Sequence, residues 1–272
     1  MSTPEPIIHT CFEPRTSTWQ YVVADPSTKS AVIIDSVLDF DLSTSTISTE
    51  TADGLLSLVK ENGYTVRHIL ETHVHADHLT ASRYLQQQLE QTNPDQTKPA
   101  ICIGKRIHGV QERFAGRYGI EKAEYEGAFD RLIDDDDVFP LGELQVQAMH
   151  LPGHTPDHMG YMVGANVFCG DSLFNTDVGS ARCDFPDGNA HELYASEPRA
   201  YTTVAEQKEA NKHLKAGTSE AEFVAWRQGR DAGLAEPRLL HQALQFNIRA
   251  GRLPAPRGGR SAGLGTGCCM SR

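Results

Sequence analysis

No stretch of the 272 residues approaches the ~20 consecutive apolar positions that a membrane-spanning helix needs, so a transmembrane segment is excluded. A basic excess is lacking too. Lys and Arg total 25 against 36 Asp and Glu, and the net charge of -11 argues against nucleic acid or an anionic membrane as the main partner. Met1-Ser2-Thr3-Pro4-Glu5-Pro6 shows neither a basic start with an apolar stretch nor an Arg/Ser-rich leader, and a strand-like Ile7–Phe12 follows at once. A cytoplasmic location is therefore expected. The six cysteines (Cys11, Cys102, Cys169, Cys183, Cys268 and Cys269) are scattered over a long chain, which does not make a disulfide framework, and reduced thiols are expected. With 39% hydrophobic and 22% charged residues the composition is that of a globular protein, long enough for one large α/β domain or two small ones.

What the chain does have is His73-Val74-His75-Ala76-Asp77-His78, three imidazoles and a carboxylate within six residues. Histidine is the commonest metal ligand, and an adjacent carboxylate suits a hard or borderline divalent ion. Val66 to Thr72 reads as a short strand, and Leu79 to Leu89 has apolar residues at helical spacing with no Gly or Pro. The cluster is thus placed between a strand end and a helix start, where an α/β sheet usually carries its site.

Around it, β and α signals alternate. Tyr21–Asp25 and Ala31–Asp35 read as paired strands joined by the turn Pro26–Lys29. A Ser/Thr-rich connection, Leu42 to Thr51, leads into a helix over Ala52–Asn62, capped by Thr51 and stopped at Gly63. Asn93–Pro99 is a polar loop, Ala100–Ile103 a buried strand and Ile107–Tyr118 a helix. Asp134–Asp137 lacks the alternating spacing and central Gly of a calcium loop and is a solvated turn. Leu144–Met149 alternates as a strand, and Tyr161–Val163 and Asn166–Cys169 form two more around Gly164. Helical character returns near His191, and Ser219 with Glu222 opens a further helix with a capping box. From Gly251 the Gly/Arg/Pro-rich stretch cannot bury enough apolar surface to offset its ordering entropy. The expected organisation is one domain over 1–250 and a disordered tail over 251–272.

Two further pieces join the His cluster. Leu151-Pro152-Gly153-His154-Thr155-Pro156 sets a His in a constrained turn after a strand, and Phe168-Cys169-Gly170-Asp171-Ser172 sets an Asp at the end of the next. The arrangement resembles the metallo-β-lactamase superfamily over about residues 7–250, which implies an α/β (α+β) four-layer αββα sandwich with metal at one edge of two sheets. A finer resemblance rests on Thr72–Ala81, Ala181-Arg182-Cys183-Asp184-Phe185-Pro186 and Phe246-Asn247-Ile248-Arg249-Ala250-Gly251. These look like the persulfide dioxygenases (sulfur dioxygenases), a family similar to glyoxalase II that oxidises glutathione persulfide with O2 in hydrogen sulfide metabolism.

The resemblance implies His73, His154 and Asp171 as ligands of one iron(II) per chain, with zinc as the alternative. Two His and one carboxylate form the facial triad of non-haem iron oxygenases, whose open positions admit reactants. His75, Asp77 and His78 would orient those ligands or serve a second metal. Arg182 would hold a glutathione carboxylate, a task suited to its planar fork of donors. Glutathione persulfide and O2 are the implied partners, with a homodimer compatible with the sequence and a mitochondrial location compatible with the family.

The chain departs from the superfamily pattern in one place. A further His at a strand end is expected well after the Asp, and between Asp171 and Glu206 only His191 occurs, at what reads as a helix start. One late core strand is therefore expected to be missing, between Tyr194 and Tyr201. A dinuclear hydrolase uses that His on its second metal, so its loss weakens the hydrolase reading, whereas the mononuclear triad does not need it. Several apolar side chains worth ~1.5–3 kcal/mol each would be lost against a total stability of ~5–15 kcal/mol. A zinc hydrolase of glutathione thioesters and a non-catalytic truncated variant are the alternatives.

Overall fold

The computed structural model describes residues 5–92, 98–174, 176, 179–190 and 203–254. The strands β1 (Ile7–Glu13), β2 (Thr18–Ala24) and β3 (Ser30–Ile34) form an antiparallel meander. β4 (Val37–Asp41) and β5 (Thr46–Ser48) lead into helix α1 (Glu50–Glu61), after which β6 (Thr65–Leu70) returns parallel to β3. β7 (Leu79–Thr80), α2 (Ser82–Thr92), β8 (Ala100–Gly104), α3 (Ile107–Tyr118), α4 (Lys122–Tyr125) and β9 (Arg131–Ile133) complete the first half. The main sheet runs β1-β2-β3-β6-β8-β9, and β5-β4-β7 forms a small side sheet. A second sheet is the meander β10 (Val138–Leu141), β11 (Leu144–His150), β12 (Met159–Val163) and β13 (Asn166–Phe168). Helices α5 (Val204–Ala210), α6 (Glu220–Asp231) and α7 (Leu240–Asn247) follow.

Every residue of β3 is buried, the mark of a strand covered on both faces. Successive side chains of a strand point to opposite faces. Val32, Ile34, Leu70 and Cys102 therefore meet Phe139, Val146, Tyr161 and Phe168 of the second sheet. Their neighbours Ile33 and Ile69 pack under Leu55 and Val59 of α1, Leu85 of α2, and Ala243 and Phe246 of α7. Ile101 and Ile103 of β8 lie against Ile107, Val110 and Phe114 of α3 and Leu244 of α7. Two sheets packed face to face, with helices over the outer face of the first, agree with the metallo-β-lactamase type of sandwich expected from the sequence.

Most local expectations hold. α3 has the expected bounds, the Gly164 hairpin forms, and Ser219 and Glu222 close their capping box. Gly63 ends the α1 region at φ +66°, a left-handed conformation that glycine adopts without a Cβ clash. Asp134–Asp137 is a turn whose carboxylates pair with Lys105, Arg106 and Arg131. The described cysteines are all free.

Three expectations change. The Ser/Thr-rich connection contains the turn and second strand, β5, of a hairpin with β4. The cap of α1 is Thr49, because Thr51 already lies inside the helix and gives its N–H and hydroxyl to Asp39 at 2.8 and 2.7 Å. Leu79 and Thr80 do not begin a helix: they pair with β4, and α2 starts at Ser82. In each case a tertiary partner outbids local propensity. No strand follows β13 among the described residues, and no described helix is long and apolar enough to cross a membrane. The polar loop at 93–97, His191 with its helix start, the missing strand at 194–201 and the tail from 255 onward fall outside the described residues.

Candidate metal centre

Four chain segments converge where the two sheets end. β3 and β6 run parallel and stop side by side, so Asp35 and the loop 71–78 emerge together. The turn after β11 brings His154, and the short 3-10 turn Gly170–Ser172 after β13 brings Asp171. One donor atom each of His73, His154 and Asp171 lies within 4.8 Å of the others, and so do those of His75, Asp77 and His78. Both groups named from the sequence are thus assembled by the fold.

Hydrogen bonds decide which nitrogens are free. Asp35 accepts from the Thr72 N–H at 2.7 Å and the Thr72 hydroxyl at 2.9 Å. With its proton committed, the Thr72 hydroxyl oxygen accepts from His73 Nδ1 at 3.0 Å. His154 Nδ1 donates to the Arg182 carbonyl at 2.7 Å. Each ring thus commits its Nδ1 and leaves Nε2 for the centre, where His154 Nε2 stands 3.5 Å from Asp171 Oδ2. Burial first, then the surrounding imidazoles, keeps His73 well below the usual histidine pKa. Burial likewise raises the Asp171 carboxyl, against the pull of His154. A bound cation would relieve both.

The second group is built differently. His75 Nε2 donates to Asp35 Oδ1 at 3.0 Å, with Glu71 Oε2 at 3.6 Å. Burial alone would favour the neutral ring, but Asp35, then Asp77 and Glu71, hold its proton up to about 10. His78 Nδ1 meets Asp77 Oδ2 at 3.2 Å, and the pair holds Asp77 below the usual carboxylate range despite its burial. His78 Nε2 is buried without any hydrogen-bond partner. An orphaned imidazole nitrogen and two bare Nε2 atoms beside a carboxylate are what a divalent metal satisfies, so the residues fit such a group.

Sequence reasoning passed over several residues here. His158, four positions after His154, accepts from the Asp171 N–H at Nε2 (3.2 Å) and donates from Nδ1 to the Leu151 carbonyl (3.2 Å), with Ser172 Oγ at 3.0 Å. Its ring lies 4.8 Å from that of His73, and burial keeps it neutral. Asp157 Oδ2 accepts the Val74 N–H at 2.9 Å. Gly170, at φ +48°, passes so near that a Cβ would come within 2.5 Å of Thr72 Oγ1 and 2.9 Å of His158 Nε2. The paired spacing His154-Thr155-Pro156-Asp157-His158 was the available signal. Arg182 is near the centre through its carbonyl, but its fork is engaged elsewhere, with Asp184 at 2.5 Å on both oxygens and the Ala235 carbonyl at 3.0 Å.

These shifts give a pH dependence. His73 and His158 stay neutral when folded and bind protons once unfolded, so stability falls as pH drops below ~6.5, the unfolded histidine pKa. His75 does the reverse: its contribution is complete below ~6.5 and is lost as pH rises through about 10. The contribution of these three histidines to the metal-free protein is therefore expected to be greatest near pH ~6.5, with two of them steepening the acid side. Thermal melts from pH 5 to 9 check this, and a flat profile would contradict it.

Comparison with known proteins agrees with this geometry. The profile of the Metallo-beta-lactamase superfamily matches residues 14–216. A "Beta-lactamase hydrolase-like protein" of Xylella fastidiosa is 40% identical, covering 90% of this chain and 61% of its own length. This chain thus spans about three fifths of that relative. "Glyoxylase B2" of Dictyostelium discoideum is 39% identical, covering 89% of this chain and 90% of its own. "Persulfide dioxygenase ETHE1, mitochondrial" of Homo sapiens is 29% identical over 70% of this chain and 61% of its own. The crystal structure of ETHE1 from Myxococcus xanthus superposes with a TM-score of 0.69 at 28% identity, covering 90% of this chain and all of that one. The Xylella alignment runs over 270 positions while using 90% of 272 residues, about 245, so about 25 positions have no counterpart here. Fold, convergent His and Asp groups and family profile agree: the chain belongs to the metallo-β-lactamase superfamily.

Proposed function

We propose that this chain is a persulfide dioxygenase, using iron(II) held by His73, His154 and Asp171 to oxidise glutathione persulfide with O2. The reaction balances as persulfide plus O2 plus water giving glutathione, sulfite and two protons, the terminal sulfur losing the four electrons that O2 gains. The observation that carries the reading is the triad itself: two imidazoles with Nδ1 committed to other partners and one carboxylate converge, the set typical of non-haem iron oxygenases. Similarity to the human persulfide dioxygenase and to the Myxococcus ETHE1 structure supports it.

Iron(II) bound there would supply the point at which a persulfide sulfur and O2 meet and exchange electrons. The residues of this chain supply the positioning. Thr72 and the Arg182 carbonyl fix the tautomers of His73 and His154, while His158 fixes the backbone N–H of Asp171. Arg182 would meet a glutathione carboxylate by exchanging Asp184 for it.

A second reading has its own observations. The His75, Asp77 and His78 group, with the orphaned His78 Nε2, suits a second ion, and a relative is named "Glyoxylase B2". Two zinc ions and hydrolysis of a glutathione thioester would follow. The deciding experiment is O2 uptake with glutathione persulfide by anaerobically purified, metal-analysed protein. Uptake in proportion to iron, with sulfite formed, is expected. Turnover of S-lactoylglutathione without O2 would replace this reading with the hydrolase, and a folded chain that takes up no metal would remove both.

A further inference from the structure

Asn247 is the last residue of α7, about 170 positions beyond the His loop in sequence and touching none of the His or Asp side chains of the metal groups. It is 3% exposed. Its Nδ2 donates to the carbonyls of His75 (2.9 Å) and His78 (2.8 Å), and its Oδ1 accepts from the Thr80 N–H (2.8 Å). The two carbonyls can only accept and the N–H can only donate, so the amide has one orientation that satisfies all three. Serine or alanine cannot reproduce this, and aspartate supplies no donor.

The geometry points to Asn247 as a positioning residue of the metal centre, an inference that rests on the proposed metal-binding reading. By fixing the carbonyls of His75 and His78 and the N–H of Thr80, one side chain sets the path of the loop that carries His73, His75, Asp77 and His78. The helix that presents it is itself held rigidly. Leu244 is fully buried beside α3, and the Ile248 carbonyl accepts from Gln111 of α3 at 2.9 Å. Arg249 pairs with Glu124 of α4 at 2.8 Å. The Asn247 clamp is thereby linked to metal affinity, and linkage requires that bound metal steady the clamp in turn.

The test compares Asn247→Asp with Leu244→Ala, a buried α7 substitution that leaves the loop untouched. Fe(II) affinity is measured anaerobically by chelator competition on the full chain, alongside the melting temperature of the metal-free protein. Loss of an outer-shell partner typically weakens metal binding ~10–100-fold. At least a tenfold weakening is expected for Asn247→Asp, while Leu244→Ala lowers the melting temperature and keeps the affinity. Wild-type affinity in Asn247→Asp, or affinity lost equally in both variants in step with stability, overturns the inference. Should Asn247→Asp not fold, hydrogen exchange of the Thr80 amide in the unmodified chain decides. Fe(II) must slow it if clamp and metal are coupled, and an unchanged rate overturns the proposal. An unmodified chain that binds no Fe(II) overturns the metal-centre reading and this inference together; the other adverse results overturn the inference alone.

Discussion

Replacing His154 by alanine is expected to strip the chain of its metal and of O2 uptake while leaving it folded. The ring contributes a bare Nε2, 3.5 Å from Asp171 Oδ2, in a group of only three donors. Removing a ligand outright should exceed the ~10–100-fold loss that follows removal of an outer partner. The structural penalty is smaller. The Arg182 carbonyl loses its donor, worth ~1–3 kcal/mol if it stays unsatisfied, and the ring lies near the surface of the site at 8% exposure. Metal per chain, melting temperature and O2 uptake measured on one preparation separate the two effects. A His154→Ala protein that still carries one iron per chain and consumes O2 would sink the proposed triad.

The largest effect on folding is expected at Asp35. It sits at the end of β3 with φ +52°, a left-handed conformation that is strained for a residue with a Cβ and that recurs at functional sites. Three partners hold it there: the Thr72 N–H, the Thr72 hydroxyl and His75 Nε2. Asp35→Ala would leave a buried imidazole and a buried backbone N–H without their acceptor. Breaking a buried pair from one side typically costs ~3–5 kcal/mol, a large share of the ~5–15 kcal/mol that holds a domain folded. A drop of that size in denaturant unfolding of the metal-free protein is expected. Asp35→Asn, which removes only the charge, should flatten the alkaline side of the stability profile, because Asp35 leads the groups that raise the His75 proton affinity. An alkaline limb unchanged in Asp35→Asn would show that another group holds that proton.

Much of the site was legible because its residues stand at strand ends, and strand ends leave marks in sequence. His73–His78, His154 and Asp171 each follow an apolar run and precede a turn, so their convergence followed from the expected fold. What could not be read were the partners that act across the chain. Asp35 looks like any strand-terminal aspartate until β3 and β6 pair in parallel. Asn247 stood in the sequence only as part of the Phe246–Gly251 resemblance, with no role attached. Arg182 was assigned a glutathione carboxylate by resemblance, and its pairing with Asp184 depends on how the 180–184 loop turns. The start of α2 was misplaced for the same reason: Leu79 and Thr80 have helical spacing, but β4 supplies a ladder that a local pattern does not record.

Sequence by itself determined which donors are present, that their types suit a divalent metal, and, by resemblance, the superfamily sandwich that presents them. Periodicity and short motifs are local, and the hydrophobic alternation of Leu144–Met149 already assigns that strand its faces. Tertiary structure alone decided which nitrogen of each imidazole is bare, which histidine keeps its proton, and which distant side chain holds the loop. Those depend on hydrogen bonds and burial between segments up to about 170 residues apart, where single contacts of a few ångströms outweigh any preference a short stretch of chain can express.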